Sequence, residues 1–118
     1  MTIDHTFAVV TVSDFDTSHD WYQRFFDTAA TNVPMPGNLA EWRTTDNGWV
    51  QMFHSPEHAG HSLANLAVVD IDDYVTALRG RGIETGEIVD VNKGVRICAI
   101  DDPDSNTITL IGNFRENY

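Results

Sequence analysis

The fold is decided by a stretch that occurs twice, as Thr11-Val-Ser-Asp14-Phe-Asp16 and again as Ala67-Val-Val-Asp70-Ile-Asp72. In each copy a run rich in β-branched residues leads into Asp-apolar-Asp, and a segment with helical spacing follows. The copies lie 56 residues apart in a chain of 118. We therefore predict one domain, residues 1–118, made of two similar modules that cover about 1–56 and 57–118.

The residues after each copy predict one helix per module. Asp16 is expected to cap the first helix, which buries a stripe of aromatic side chains, and Asp72 to cap the second, which ends at Gly80-Arg81-Gly82. Hairpins are predicted around Asp46-Asn47-Gly48 and around Asp102-Pro-Asp-Ser-Asn106, because Asn, Gly and Pro favour tight turns. Each module thus reads as a strand, a helix and two or three further strands.

These elements predict an α+β fold. The region Thr31–Asn38 contains Pro34 and Pro36 and is expected to form a loop or an interrupted edge strand, since proline cannot donate a hydrogen bond to a sheet. Neither module could bury both faces of its sheet alone. Two paired βαβββ modules would bury them by forming curved mixed sheets around a concave cleft, with the helices on the outer face.

The composition narrows the classes of partner. The chain has 7 Lys and Arg against 18 Asp and Glu, a formal net charge of -11, which disfavours nucleic acid and an anionic membrane surface and would attract a cationic ligand. No apolar run approaches the roughly 18 residues of a membrane helix. Cys98 is the single cysteine, and the chain starts without the basic and apolar segments of a signal peptide, so we expect a cytoplasmic protein.

The chain resembles the vicinal oxygen chelate superfamily over essentially its whole length. The resemblance rests on the strand that ends at Val12-Ser13-Asp14, the aromatic helix, and the late Asp-Pro-Asp-Ser-Asn turn followed by Thr107-Ile-Thr-Leu110. That superfamily contains glyoxalase I, the extradiol dioxygenases, methylmalonyl-CoA epimerase and the bleomycin resistance proteins. The resemblance implies a homodimer in which each cleft is completed across a two-fold axis. It does not imply one activity, because function depends on the site rather than the fold.

The same resemblance locates the usual metal-ligand positions. Enzymes of the superfamily hold a divalent metal with His or Glu from the first and last strands of each module. The first-strand positions correspond to Phe7 and Leu63, seven residues before each repeat Asp, and the last-strand positions to Gln51 and Thr109. Divalent metals prefer imidazole and carboxylate ligands, so these residues predict that the usual metal site is absent and that no cofactor is bound.

Histidines keep a metal-dependent alternative open. His5 and His61 stand nine residues before each repeat Asp and would share the concave face, so they could hold Zn, Ni, Fe or Mn displaced towards the strand starts. The protein would then be a lyase, isomerase or dioxygenase of the glyoxalase I type, with Gln51 as a further ligand. The segment His54-Ser-Pro-Glu-His58 is also rich in metal-binding side chains, but Pro56 favours a solvated linker there.

Strand alternation predicts which side chains line the cleft. On the first and last strands of each module they are Phe7, Val9, Thr11, Trp49, Gln51, Phe53, Leu63, Asn65, Ala67, Thr107, Thr109 and Ile111. On the middle strands we expect Trp42 and either Arg96 with Cys98 or Val95 with Ile97. From these sets the predicted ligand contacts are Phe7, Trp42, Trp49, Gln51, Phe53, Asn65, Arg96 and Thr109.

An apolar, aromatic-lined cleft with neutral polar groups is typical of a small-molecule site. We therefore expect a metal-free binding protein, similar to the bleomycin resistance proteins, that holds an aromatic or cationic organic ligand. One structural alternative stays open: Trp42 and Trp49 could complete a core or a subunit interface, as in an interaction module whose cleft is filled by its own side chains.

Overall fold

The computed structural model describes residues 2–118, and over that range the chain forms two four-stranded sheets and two helices. The first module comprises β1 (Thr6–Val12), α1 (Phe15–Phe26), β2 (Asn32–Met35), β3 (Leu39–Arg43) and β4 (Gly48–His54). The second comprises β5 (Leu63–Val68), α2 (Ile71–Gly80), β6 (Val89–Asp90), β7 (Arg96–Asp101) and β8 (Thr107–Gly112). The predicted α+β fold with two βαβββ modules is confirmed.

Both sheets have the same topology. The strand order is β1-β4-β3-β2 in the first sheet and β5-β8-β7-β6 in the second. In each module the first strand pairs in parallel with the last strand, and the other pairs are antiparallel. The two predicted hairpins connect β3 to β4 and β7 to β8, and β2 is an edge strand with an irregular register against β3. Proline is tolerated at such an edge because no partner there needs its missing N–H.

Both helices begin two residues earlier than we predicted. Asp14 caps α1 by accepting a hydrogen bond from the Thr17 amide at 3.0 Å, and Asp70 caps α2 in the same way from the Asp73 amide at 3.1 Å. The prediction that Asp16 and Asp72 are the caps is therefore wrong. A cap needs an extended backbone and a carboxylate that reaches the third helical amide, and the first Asp of each repeat satisfies both. Within residues 2–118 no helix is long and apolar enough to cross a membrane.

The core lies between the helices and one face of the sheets. Helix α1 buries Trp21, Tyr22 and Phe25, as its stripe predicts, and Val50 and Met52 of β4 are buried beneath it. Buried side chains of both modules join in one apolar cluster. The opposite face of each sheet is therefore left open.

Trp42 lies in the core and not on the concave face, so its predicted placement is wrong. The β3–β4 register pairs Trp42 with Val50, and both side chains therefore point towards α1. Trp42 is 1% exposed, its ring centroid lies 5.4 Å from that of Phe26, and its Nε1 donates to the Thr28 carbonyl at 3.1 Å. The hairpin register decides this face, since a slip of one residue reverses every side chain.

Arg96 is also placed away from the concave face. Its guanidinium donates to Asp72 at the start of α2 at 2.7 Å and to Asp90 at 3.2 Å. The neighbouring Cys98 is fully buried, and burial raises the pKa of its thiol. The alternative prediction was that Val95 and Ile97 face the cleft. It is right for Ile97, which pairs with Ile111 and points away from the helix, whereas Val95 is buried before β7 begins.

A buried polar network joins the two modules. The side chain of Asn106 donates to the Thr11 carbonyl at 2.7 Å and accepts from the Ser62 amide at 2.9 Å. The neighbouring Asp102 accepts from the Tyr22 hydroxyl at 2.6 Å and from Asn106 at 2.8 Å. We call these residues, Thr11, Tyr22, Ser62, Asp102 and Asn106, the inter-module network. It fixes β1 and α1 of the first module against the late turn of the second.

Candidate functional site

The concave face of the first sheet is open and largely apolar. The β1–β4 register pairs Phe7 with Trp49, Val9 with Gln51 and Thr11 with Phe53, so alternation places all six side chains away from α1. Phe7 is 49% exposed and Phe53 38% exposed, whereas the intervening Val10 and Val50 are buried. The predicted placement of these residues on the concave face is confirmed, and their role as ligand contacts stays a prediction.

Two aromatic rings stack against each other on this face. The ring centroids of Phe7 and Trp49 lie 6.5 Å apart with an interplanar angle of 28°. A ring face that is not covered by its neighbour can stack on a third planar group, and each ring also adds apolar area. This face can therefore hold an aromatic ligand by stacking.

A carboxylate that sequence reasoning missed lies beside these rings. Glu41 pairs with Gln51 in the β3–β4 register and so takes the concave position that we had expected for Trp42. Its two oxygens accept from Gln51 Nε2 at 2.9 Å and from Asn32 Nδ2 at 3.2 Å. Among residues 2–118 no Lys, Arg or His forms an ion pair with Glu41. Two neutral amides thus orient a negative charge without neutralising it.

The concave face of the second sheet differs in chemistry. Leu63, Asn65 and Ala67 of β5 are exposed, and the paired residues of β8, Thr109 among them, are half-buried. Ala99 and Ile97 of β7 extend the same face. Their placement agrees with the prediction from alternation, but no aromatic ring lies among these residues.

The residues at the family's metal positions do not fit a divalent ion. Phe7 and Leu63 have no donor atom, and Gln51 and Thr109 offer only a neutral amide and a hydroxyl. His5 precedes β1 and contacts Asp4 at 3.2 Å, and His61 precedes β5. Within residues 2–118 no group of three or more His, Cys, Asp or Glu is arranged to hold a metal ion.

The residues of the alternative histidine-rich segment are engaged locally. A ring nitrogen of His54 lies 3.2 Å from the Ser13 carbonyl, and His58 Nδ1 lies 2.8 Å from the Ser55 hydroxyl. The segment after β4 forms turns rather than a helix, as Pro56 predicts.

A cavity of about 480 Å³ lies between the modules. Its walls come from the end of α1, the end of β3 with the following turn, β5 and α2; the lining residues are Phe26, Thr28, Trp42, Arg43, Thr44, Thr45, Asn65, Leu66, Ala67, Val68 and Tyr74. We call it the inter-module cavity. Trp42 and Asn65, which were predicted to contact a ligand, both line it.

Comparison with solved structures places the chain in a family. A glyoxalase/bleomycin resistance protein from Catenulispora acidiphila DSM 44928 is 30% identical, with a TM-score of 0.85, and the match covers 92% of this chain and 96% of that one. This chain belongs to the glyoxalase/bleomycin resistance protein family. No protein-family model matches it, and no curated protein is similar enough to match.

Two less similar solved structures share the fold alone with this chain. A bleomycin-binding protein complexed with bleomycin is 18% identical, with a TM-score of 0.78, over 95% of this chain and 100% of that one. A lactoylglutathione lyase from Agrobacterium tumefaciens is 14% identical, with a TM-score of 0.75, over 96% of this chain and 95% of that one. Because a binding protein and an enzyme share this architecture, the residues of the site must decide between them.

Proposed function

We propose that this protein binds a small aromatic cation on the concave face of its first sheet, without a metal ion. The observation that carries the proposal is the half-exposed ring of Phe7, which stacks on the partly buried Trp49, beside the unneutralised carboxylate of Glu41. Stacking on the rings supplies affinity, and the carboxylate supplies charge selectivity. The formal net charge of -11 would favour approach of a cation over that of an anion. The bleomycin-binding relative is a binding protein on the same fold.

The proposal of metal-free binding rests on the chemistry of the family's ligand positions. Phe7, Gln51, Leu63 and Thr109 supply neither carboxylate nor imidazole, so they would not repay the dehydration of a divalent ion. The rival function, a glyoxalase-type lyase, isomerase or dioxygenase, would need His5 and His61 as ligands. Elemental analysis of tag-free protein tests this, because stoichiometric Zn, Ni, Fe or Mn that is lost in His5→Ala would overturn the proposal.

The binding test compares a matched pair of ligands, naphthylmethylammonium and the neutral naphthalenemethanol, by calorimetry. We expect Trp49→Ala to weaken both ligands about tenfold, since stacking of one aromatic pair contributes about 0.5–1.5 kcal/mol beyond area burial. Glu41→Gln should weaken only the ammonium ligand. Glu57→Gln, which removes the same charge from the linker, is the matched control and should leave both affinities unchanged. Equal effects of Glu41→Gln and Glu57→Gln would contradict the proposal.

We also propose that the protein is a cytoplasmic homodimer. Leu63 is 82% exposed on the second concave face, and Val9 is exposed on the first, so a second copy would bury apolar surface that a monomer leaves in water. Sedimentation equilibrium measures this directly. We expect a dimer for the native sequence and a shift to monomer for Leu63→Asp, while a monomeric native protein would contradict the assembly without affecting the ligand test.

A further inference from the structure

The inter-module cavity combines aromatic walls from three different elements. Phe26 comes from the end of α1, Trp42 from β3 and Tyr74 from α2. Trp42 is held in place, because its Nε1 donates to the Thr28 carbonyl and its ring packs on Phe26. A volume of about 480 Å³ lies within the usual range for small-molecule sites, roughly 300–1,000 Å³. The Trp42 wall is therefore held in place, and the cavity is of the right size for one fused aromatic ring system.

The charge at this cavity is opposite to that of the protein as a whole. Arg43 is the charged residue in the lining, and none of the 18 Asp and Glu residues of the chain contributes to it. The Arg43 guanidinium is oriented by two hydrogen bonds to the Asp46 carbonyl, from Nε at 3.1 Å and from Nη2 at 2.6 Å. These bonds use a neutral acceptor, and among residues 2–118 no carboxylate forms an ion pair with Arg43. Its positive charge is thus held in position and left without a counter-ion.

Further polar groups of the lining also lack partners within residues 2–118. Neither the Tyr74 hydroxyl nor the side-chain amide of Asn65 forms a hydrogen bond with a described residue. Burial raises the pKa of Tyr74, more than the nearby Arg81 lowers it, so the hydroxyl stays protonated and can donate. A few polar groups on a mostly aromatic wall are what fixes the orientation of a bound small molecule.

We propose that the inter-module cavity is a second binding site, which takes a planar aromatic ring bearing a carboxylate. The ring would lie against Phe26 and Tyr74 and touch only the edge of the buried Trp42, and the carboxylate would accept hydrogen bonds from the free Nη1 of Arg43. This preference is the reverse of that proposed for the concave face, where Glu41 selects a cation. The two sites are neighbours, because Arg43 pairs with Trp49 in the β3–β4 register, but the side chains proposed to hold the two ligands are different and the ligands have opposite charge.

A crossed titration tests the second site. We expect naphthoate to bind the native protein and to shift the indole N–H resonance of Trp42 in an NMR spectrum, with the resonance of Trp49 unaffected. Arg43→Gln should weaken naphthoate about tenfold, as expected for loss of a charge-assisted hydrogen bond. Tyr74→Phe, which keeps the ring, should weaken it a few-fold. Arg115→Gln removes the same charge elsewhere and should have no effect.

Three outcomes would overturn this proposal. They are a naphthoate affinity that falls equally in Arg43→Gln and Arg115→Gln, a shift of Trp49 in place of Trp42, and no binding at millimolar naphthoate. A parallel titration with naphthylmethylammonium tests the concave site, so failure of one proposal can be distinguished from failure of the other. If Glu41→Gln weakens the ammonium ligand while naphthoate fails to bind, the concave site stands and the inter-module cavity is not a site for aromatic acids.

Discussion

The two modules have the same strand order, yet their equivalent parts have different roles. In the first module the concave face bears Phe7, Trp49 and Glu41, while the turn between β3 and β4 is exposed. In the second module the concave face has no aromatic ring, while the turn between β7 and β8 contributes the buried Asp102 and Asn106. The repeat therefore specifies one architecture twice, and the side chains assign ligand chemistry to one copy and inter-module contact to the other.

The largest expected effect is a loss of stability from a substitution in the turn between β7 and β8, compared with one in the turn between β3 and β4. Asn106→Ala removes the side chain that bonds Thr11, Ser62 and Asp102, so the half-buried Thr11 carbonyl and Ser62 amide and the buried Asp102 carboxylate each lose a partner. We expect the free energy of unfolding to fall by about 3 kcal/mol, because each polar group left unsatisfied away from water costs about 1–3 kcal/mol. Urea denaturation measures the loss. Asn47→Ala, in the exposed turn of the first module, is the control, and an equal loss there would show that the turns are equivalent.

A smaller loss of stability is expected from removing a tyrosine hydroxyl, and it should differ between the two helices. Tyr22 of α1 donates to the buried Asp102, whereas Tyr74 of α2 bonds no described residue. Tyr22→Phe leaves Asp102 one donor short, and we expect a loss of about 1–2 kcal/mol. Tyr74→Phe should cost less than half of this, measured in the same denaturation experiment. A comparable loss for Tyr74→Phe would indicate that ring packing, not the inter-module network, is being measured.

The network also predicts a pH dependence. Burial, followed by the charge of Asp102 and the hydrogen bond to it, raises the pKa of Tyr22 well above its ordinary value of about 10. A raised folded-state pKa means that this stability is fully present below about pH 10 and is lost as the pH rises above that value, where only the unfolded tyrosine ionises. Between pH 9 and about 11 the native protein should therefore lose stability more steeply than Tyr22→Phe. Parallel curves for the two proteins would contradict the assigned role of Tyr22.

The smallest expected effect concerns the backbone of the late turn. Ser105 has a φ of 67°, in the left-handed region that disfavours a side chain. Ser105→Gly should raise the free energy of unfolding by about 0.5–1 kcal/mol, because relief of strain exceeds the greater freedom of the unfolded chain. Thermal unfolding measures the gain. A loss of stability would show that the Ser105 side chain makes a contribution that outweighs its strain.

Prediction from the sequence succeeded on the strands where the two-residue alternation of side chains was enough to assign a face. The alternation of β1, β4, β5 and β8 placed residues such as Phe7 and Gln51 correctly, because the repeat anchored those strands and a strand has a period of two. Prediction failed at Trp42 and Arg96, whose faces depend on the register across a hairpin. Each of those strands contained apolar residues in both alternating sets, so the pattern alone could not assign a face.

Because the register of β3 was not predicted, Glu41 was missed as part of the candidate site. Glu41 takes the concave position next to Gln51 only because β3 is paired with β4 in the register that buries Trp42. The missed signal was the length of the turn, which joins Arg43 to Gly48 and determines the register. The caps were missed for a related reason, since two Asp residues in each repeat compete for one position and only the backbone conformation decides between them.

The sequence by itself determined the two modules, their order of elements and the aromatic stripe of α1. These features depend on residue type and on spacing along the chain, so they can be read locally. The tertiary structure decided which side of β3 faces a ligand, how Asn106 and Tyr22 join the modules, and that Arg43 lines a cavity with Tyr74. Each of these depends on contacts between residues that are distant in sequence, and such contacts exist only after the sheets have paired and packed.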